Sequence, residues 1–179
     1  NPYTFTINRD ITLVARFISR ATPITNADGL KNIQADGDYI LTGNITLTGE
    51  WTPLLFDGGF TGSFVGNGYT ISGLKITKEA YVAGDNNNFA LFDTIGEGGV
   101  VKNLTVNADI SIVTRLGNTR ELNVAMIAGV NNGLIENCSA DGSIIIQPHK
   151  DQANYFNSIN AGGVCGQNYQ EIRYCSSYA

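Results

Sequence analysis

Apolar and polar positions alternate along much of the chain, which is the pattern of β-strands with one buried face. In residues 3–17 the alternation flanks a turn at Asn8-Arg9-Asp10 and predicts a β-hairpin. From Tyr39 onward, short stretches rich in β-branched residues are separated by Gly and Asn. Each stretch predicts a strand that ends in a tight turn.

One stretch departs from the alternation and predicts a short helix. Thr25 is the expected N-cap, with Asp28 three residues later, as in a capping box. Leu30 and Ile33 fall on one face, and we expect the helix to end near Gly37.

The later strands are versions of one repeated unit. The aliphatic reference positions, spaced by 30, 34 and 37 residues, are Ile71, Val101, Ile135 and Ile172. Three residues after each of them stand Leu74, Leu104, Cys138 and Cys175. Four residues before three of them stand Asn67, Asn131 and Asn168. A period of this size indicates a repeat architecture.

The repeat pattern predicts an all-β fold, a right-handed parallel β-helix. Helical repeats require a period of 3.6, and propeller blades require four strands per unit. In a parallel β-helix, aligned residues stack at about 4.8 Å, so the aliphatic positions form inward columns and the Asn residues form an amide ladder. We divide the chain into a hairpin (1–18), a linker (19–24) and the β-helix (25–179), with the helix as its N-terminal cap.

The composition and charge of the chain argue against two classes of binding partner. Of 179 residues, 15% are charged, and the formal net charge is −5. Nucleic acids and acidic membrane surfaces require a basic footprint, so neither is an expected partner. No apolar run is long enough to insert in a membrane.

Two segments carry a family resemblance: GGVCGQNYQEIRYCSS (162–177) and MIAGVNNGLIENCSADGSI (126–144). They resemble the GLUG motif of bacterial surface proteins and adhesins, although Tyr174 replaces a motif Asn and Met126 a motif Gly. Residues 39–76 are similar to the segment that precedes GLUG repeats, and to the non-catalytic N-terminal region of immunoglobulin-A-cleaving metallopeptidases. Residues 3–17 resemble the end of an internalin B-type repeat.

The resemblance implies an extracellular or cell-surface location in a bacterium, within a longer multidomain protein. It carries no catalytic residue over to this chain. We therefore expect the chain to be a piece of such a protein, ending inside a repeat, so that an open last coil favours self-association through its edge.

No catalytic constellation is evident. The only histidine is His149, whereas a zinc protease motif requires two. Asp36 and Asp38 are the nearest acidic cluster, and a turn before Tyr39 explains them better than a calcium site. We expect no enzyme activity, no metal and no cofactor.

The cysteines are three in number. Cys138 and Cys175 align at a separation within disulfide range, but neighbouring in-register side chains point the same way, which strains a bridge. We expect reduced, buried thiols, with Cys165 aligned to Ala128.

The first functional hypothesis is an adhesin stalk or a scaffold that presents a ligand site for a glycan or host protein. Candidate contacts are aromatic residues of the insertions, with packing against the repeats as the alternative: Tyr81, Phe89, Tyr155 and Phe156. The second hypothesis is a fragment of a β-helical carbohydrate-active enzyme, or a metallopeptidase's accessory region.

Overall fold

The computed structural model describes residues 21–80, 87–114, 121–148 and 158–178. The predicted hairpin (1–18) and His149 lie outside these ranges. Within them are one short helix, α1 (Ala27–Lys31), and a series of strands. The strands are β1 (Thr22–Ile24), β2 (Asp38–Leu41), β3 (Ile45–Thr46), β4 (Ser63–Val65), β5 (Thr70–Ala80), β6 (Asn88–Phe89), β7 (Phe92–Ile95), β8 (Val100–Lys102), β9 (Thr105–Thr114), β10 (Glu121–Ala125), β11 (Ala128–Asn131), β12 (Leu134–Glu136), β13 (Ser139–Pro148), β14 (Ser158–Gly162), β15 (Cys165–Asn168), β16 (Glu171–Arg173) and β17 (Ser176–Tyr178). No helix in the described ranges is long and apolar enough to cross a membrane.

The strands form four sheets. Sheet 1 has the order β1-β2-β4-β8-β12-β16, and sheet 2 has the order β17-β13-β9-β5-β3. Sheets 3 and 4 have the orders β14-β10-β6 and β15-β11-β7. From β6 onward the chain visits sheets 3, 4, 1 and 2 in that order and then repeats the cycle, so each pass adds one strand to every sheet. The strand pairs within the sheets are parallel, which confirms the predicted all-β class with parallel strands.

The predicted aliphatic column is correct for three of its four members. Ile135 is in register with Val101 on one side and Ile172 on the other. The next member is Phe64, not Ile71, because Phe64 pairs with Val101. Ile71 instead pairs with Val106 in sheet 2. Both Phe64 and Ile71 are fully buried, so hydrophobicity alone did not separate the two assignments.

The second predicted column is also correct for its three later members only. Leu104, Cys138 and Cys175 each precede residues that are in register at the start of β9, β13 and β17. Leu74 lies further along its strand and pairs with Ala108. A β-bulge between Ile71 and Leu74, with Gly73 at a positive φ of 72°, shifts the register there.

The predicted Asn ladder is correct for Asn131 and Asn168, which are in register. The Asn131 Nδ2 donates to Asn168 Oδ1 at 2.7 Å. Asn67 is not part of this ladder, because it occupies a left-handed turn after β4, and its Nδ2 donates to the Leu41 carbonyl. The repeat before Asn131 has Ile95 at the ladder position.

The N-terminal elements differ in their bounds from the prediction. Asn26, not Thr25, caps α1, accepting a hydrogen bond from the Gly29 N–H at 2.8 Å, and the helix ends at Lys31 rather than near Gly37. Both Asn and Thr are good N-caps, so composition did not decide between them. Thr22–Ile24, inside the stretch predicted as a linker (19–24), forms β1 at the end of sheet 1, where a proline in a strand is tolerated.

A single apolar core joins the sheets. It runs from Ile24 to Ala140 and includes Leu30 and Ile33, the two residues predicted to share the buried face of the helix. The rings of Phe60 and Phe64 both pack on Phe92, with centroids 5.2 Å and 5.5 Å apart. This core holds the turns between sheets in fixed positions.

Candidate functional site

The predicted ligand contacts fall mostly outside the described residues. Tyr81, Tyr155 and Phe156 lie in the ranges that the structure leaves undescribed. Phe89 lies in β6, opposite Val124, and is 8% exposed as part of the core. The Phe89 side chain therefore packs against the repeats, which was the alternative to a ligand contact.

The predicted acidic cluster lies at a turn. Asp36 is in the turn that precedes β2, and Asp38 is the first residue of that strand. The described ranges contain no group of three or more His, Cys, Asp or Glu side chains arranged to hold a metal ion.

The turn from sheet 1 to sheet 2 repeats the same conformation in successive passes. Asn103, Asn137 and Tyr174 directly follow β8, β12 and β16, whose last residues are in register. All three have positive φ angles, of 55°, 51° and 56°. Asn adopts this left-handed conformation more readily than other residues with a side chain, and this explains its presence in two of the turns.

An amide ladder links two of these turns. The Asn137 Nδ2 donates to Asn103 Oδ1 at 2.8 Å. Within the described part of the chain, no protein group bonds to Asn103 Nδ2 or to Asn137 Oδ1. One amide donor and one amide acceptor therefore remain available to a molecule outside the protein.

A column of hydroxyl groups faces the same turns from sheet 2. Thr105, Ser139 and Ser176 are in register at the first positions of β9, β13 and β17. The Ser139 and Ser176 Oγ atoms lie 3.2 Å apart, within hydrogen-bonding distance. These hydroxyls both donate and accept hydrogen bonds.

A groove of about 260 Å³ lies between the amide turns and the hydroxyl column, and we call it the corner groove. Its lining includes Asn103, Asn137 and Tyr174 on one side and Thr105, Ser139 and Ser176 on the other. No charged side chain is among the described residues that line it.

The floor of the corner groove includes Leu104 and Cys138. Burial raises the pKa of the Cys138 thiol to about 12, and its S–H donates to the Glu136 carbonyl at 3.2 Å. Burial also raises the pKa of Cys165, to about 11; this thiol is in register with Ala128, as predicted. The three cysteines are free. Cys138 is buried as predicted, whereas Cys165 and Cys175 are only half-buried, because they lie on the last pass, which has a neighbouring pass on one side only. The raised pKa leaves Cys138 with little thiolate character.

Tyr174 is the most exposed aromatic residue near the groove, with 81% of its surface accessible. Sequence reasoning did not select it as a contact, although the signal was present: Tyr174 stands where the motif has Asn. Its neighbour Arg173 pairs with Glu136, at 2.8 Å, and with Glu171, at 3.1 Å. The hydrogen bond to Glu136 raises the pKa of Arg173, so this cation is already paired beside the groove.

A second groove, of about 400 Å³, lies where the chain passes from sheet 4 to sheet 1. Two carboxylates, Glu97 and Glu171, are among its lining residues. These are the acidic residues to test for the enzymatic alternative, because glycoside hydrolysis uses a pair of carboxyl groups.

Comparison with known proteins gives partial matches. The chain is 36% identical over 106 residues to "Halomucin" of Haloquadratum walsbyi, which covers 59% of this chain and 1% of that protein. It is 31% identical over 123 residues to a "Putative Gly-rich membrane protein" of Evansella cellulosilytica, covering 64% of this chain and 13% of that protein. The chain thus spans a small part of the length of these relatives. No protein-family model and no solved structure matches it.

Proposed function

We propose that the chain is a non-catalytic extracellular scaffold built as a right-handed parallel β-helix, which serves as a stalk or presents a ligand site. The observation that supports it most is the register between successive passes: Val101, Ile135 and Ile172 align in sheet 1, and three passes also align in sheets 2, 3 and 4.

The cyclic strand order favours this architecture. A chain that adds one parallel strand to each of four sheets on every pass, around one core, winds about a common axis. Crossover connections between parallel strands are almost always right-handed, which sets the proposed hand. Each pass is stabilised by contact with its neighbours, so a regular stack can hold sites at fixed spacing.

The extracellular location rests on two kinds of likeness. The repeats resemble the GLUG motif of bacterial surface proteins, and one relative is named a membrane protein. The name Halomucin, of the other relative, is consistent with a surface protein. On this proposal the chain is one module of a longer surface protein, and its ligand is a glycan or a host protein.

The test is a binding and turnover assay with the full 179-residue chain. The purified chain is applied to a polysaccharide array and to a panel of extracellular matrix proteins, and the polysaccharides are then analysed by mass spectrometry. We expect the polysaccharides to keep their mass and number of reducing ends.

Release of shorter or unsaturated products would contradict the scaffold function. Glu97→Gln and Glu171→Gln are the matched variants for that outcome, because both side chains line the second groove. Products that disappear in both variants would establish the carbohydrate-active enzyme instead.

A further inference from the structure

Tyr174 is placed where its backbone is strained and its ring is uncovered. A bulky residue at a φ of 56° is rare, because the left-handed conformation brings its Cβ close to the following carbonyl oxygen. Equivalent turns carry Asn103 and Asn137, which tolerate the conformation better. The Tyr174 ring is 81% exposed in the 179-residue chain, where its pass is the last one and has a neighbouring pass on one side only. Strained backbone of this kind is typical of functional sites.

The groove beside the ring is polar but neutral. It presents the free Asn103 amide donor, the free Asn137 amide acceptor and the hydroxyls of Thr105, Ser139 and Ser176. Sugar hydroxyl groups both donate and accept hydrogen bonds, so they match such a mixed surface. An anionic ligand would meet no charged side chain among the described residues that line the groove, and the neighbouring Arg173 already pairs with Glu136 and Glu171.

The repeat spacing matches a polymeric ligand. The hydroxyls of the groove begin neighbouring parallel strands, which are about 4.8 Å apart, and the amides lie in the turns just before those strands. One pyranose residue in an extended oligosaccharide has a similar length. Three successive passes contribute polar side chains to the groove, so it provides polar groups for several consecutive sugar residues.

We propose that the corner groove binds a neutral oligosaccharide, which stacks one sugar face on Tyr174 and bonds to the amides and hydroxyls of the groove. This proposal rests on the proposed scaffold function and names its ligand class and its site. Binding sites for small ligands combine an aromatic surface with a few placed polar groups, as this one does.

The experiment titrates the isotope-labelled full chain with neutral hexasaccharides of β-1,4-glucose, β-1,4-mannose, β-1,4-xylose and α-1,4-glucose, followed by NMR. We expect the side-chain amide signals of Asn103 and Asn137 to shift with at least one of them. The amide signals of Asn88, Asn123 and Asn160 should not shift, because that ladder lies in sheet 3, away from the groove. Affinity should fall from the hexasaccharide to the monosaccharide.

Variants localise the binding. Tyr174→Asn installs the residue of the equivalent turns and should fold, while lowering the affinity about tenfold or more through the loss of ring stacking. Tyr174→Phe should keep the affinity within about threefold, because the ring remains. Tyr178→Asn is the matched control, because Tyr178 is also exposed on the same pass but does not line the groove. The affinity of this variant for the hexasaccharide should equal that of the natural chain. Thermal unfolding of each variant confirms that it is folded.

Two results would overturn the proposal. The first is the absence of amide shifts with all four hexasaccharides at about 10 mM. The second is binding that Tyr174→Asn leaves unchanged in a folded protein. If the chain bound a matrix protein but none of the hexasaccharides, the oligosaccharide proposal would be wrong and the scaffold function would still hold. Cleavage of a polysaccharide would instead reject the scaffold function.

Discussion

Positions 129 and 166 have no room for a side chain, because backbone atoms and an asparagine Cβ lie close to each glycine. A Cβ added to Gly129 would lie 2.7 Å from Asn88 Cβ and 2.8 Å from the Asp93 carbonyl oxygen. A Cβ added to Gly166 would lie 2.8 Å from the Gly129 carbonyl oxygen, 3.0 Å from the Val124 nitrogen and 3.1 Å from Asn123 Cβ. The repeated glycine thus permits sheet 4 to pack beside the asparagine ladder of sheet 3.

We predict that Gly129→Ala lowers the free energy of unfolding by about 1–3 kcal/mol, because the methyl group overlaps backbone atoms that cannot move freely. Urea denaturation measures the change. Gly43→Ala is the control: its added Cβ would have nothing within 4 Å, so its effect should be small and of either sign. Equal losses in the two variants would contradict the steric explanation.

The buried thiol of Cys138 gives stability a dependence on alkaline pH. Its pKa is raised from 9.0 to about 12 in the folded chain, chiefly by burial, so the fold favours the protonated form. A raised pKa contributes stability that is fully present below the unfolded pKa and is lost as the pH rises through the folded pKa. The relevant window therefore begins near pH 9.0 and extends to about 12.

We predict that the stability advantage of the natural chain over Cys138→Ala shrinks as the pH rises above about 9, by up to about 1.4 kcal/mol per pH unit. Urea denaturation in the presence of a reductant, at a series of pH values, measures the difference between the two proteins. A difference that stays constant across the window would show that Cys138 does not titrate in this way.

At the scale of elements, the strands of sheet 3 are joined by side chains as well as by backbone. The Asn123 Nδ2 donates to Asn88 Oδ1, and the Asn160 Nδ2 donates to Asn123 Oδ1, each at 2.8 Å. Asn123 is 5% exposed, so the loss of its amide leaves neighbouring polar groups without water as a replacement partner. A column of identical amides satisfies each member through the next one.

We predict that Asn123→Ala lowers the free energy of unfolding by about 2–4 kcal/mol, because two hydrogen bonds are lost at a buried position. Asn107→Ala in β9 is the control, since Asn107 is partly exposed and makes no side-chain hydrogen bond within the described ranges. Its effect should stay within about 0.5 kcal/mol. Thermal and urea unfolding of both variants test the ladder, which a similar loss in the two would argue against.

At the scale of the whole molecule, burial and strand pairing decrease toward the last described pass. β8 and β12 have partners on both sides in sheet 1, whereas β16 has one partner in the described chain. All three residues of β17 are exposed, while β11 and β12 carry fully buried residues. Local opening is easiest where few apolar contacts must be broken.

We predict that backbone amides of β16 and β17 exchange with deuterium at least tenfold faster than those of β12 and β13. Hydrogen exchange of the full chain, read by mass spectrometry of peptides, measures the difference. Uniform protection from β8 to β17 would mean that the final pass is covered by another surface, such as a second copy of the chain.

Part of the candidate site was accessible from the sequence. The alignment of Leu104 with Cys138, which both line the floor of the corner groove, was predicted because the two residues hold the same position in successive copies of the repeat. The corner groove was not predicted, although its two walls lie only two residues apart in each repeat, because the alternation pattern does not show which turn residues and strand residues border an open groove. Tyr174 stood out in the sequence only as a departure from the motif, and its exposure became visible with the backbone in place.

The sequence alone determined the all-β class, the parallel repeat and the column of Val101, Ile135 and Ile172, because local alternation and a recurring motif carry that information. Only the tertiary structure decided that Phe64 continues this column while Ile71 belongs to sheet 2. Both residues are apolar and both are buried, and the spacing between repeats varies. Hydrogen bonding between strands, together with the bulge at Gly73, selects one register from patterns that hydrophobicity leaves equivalent.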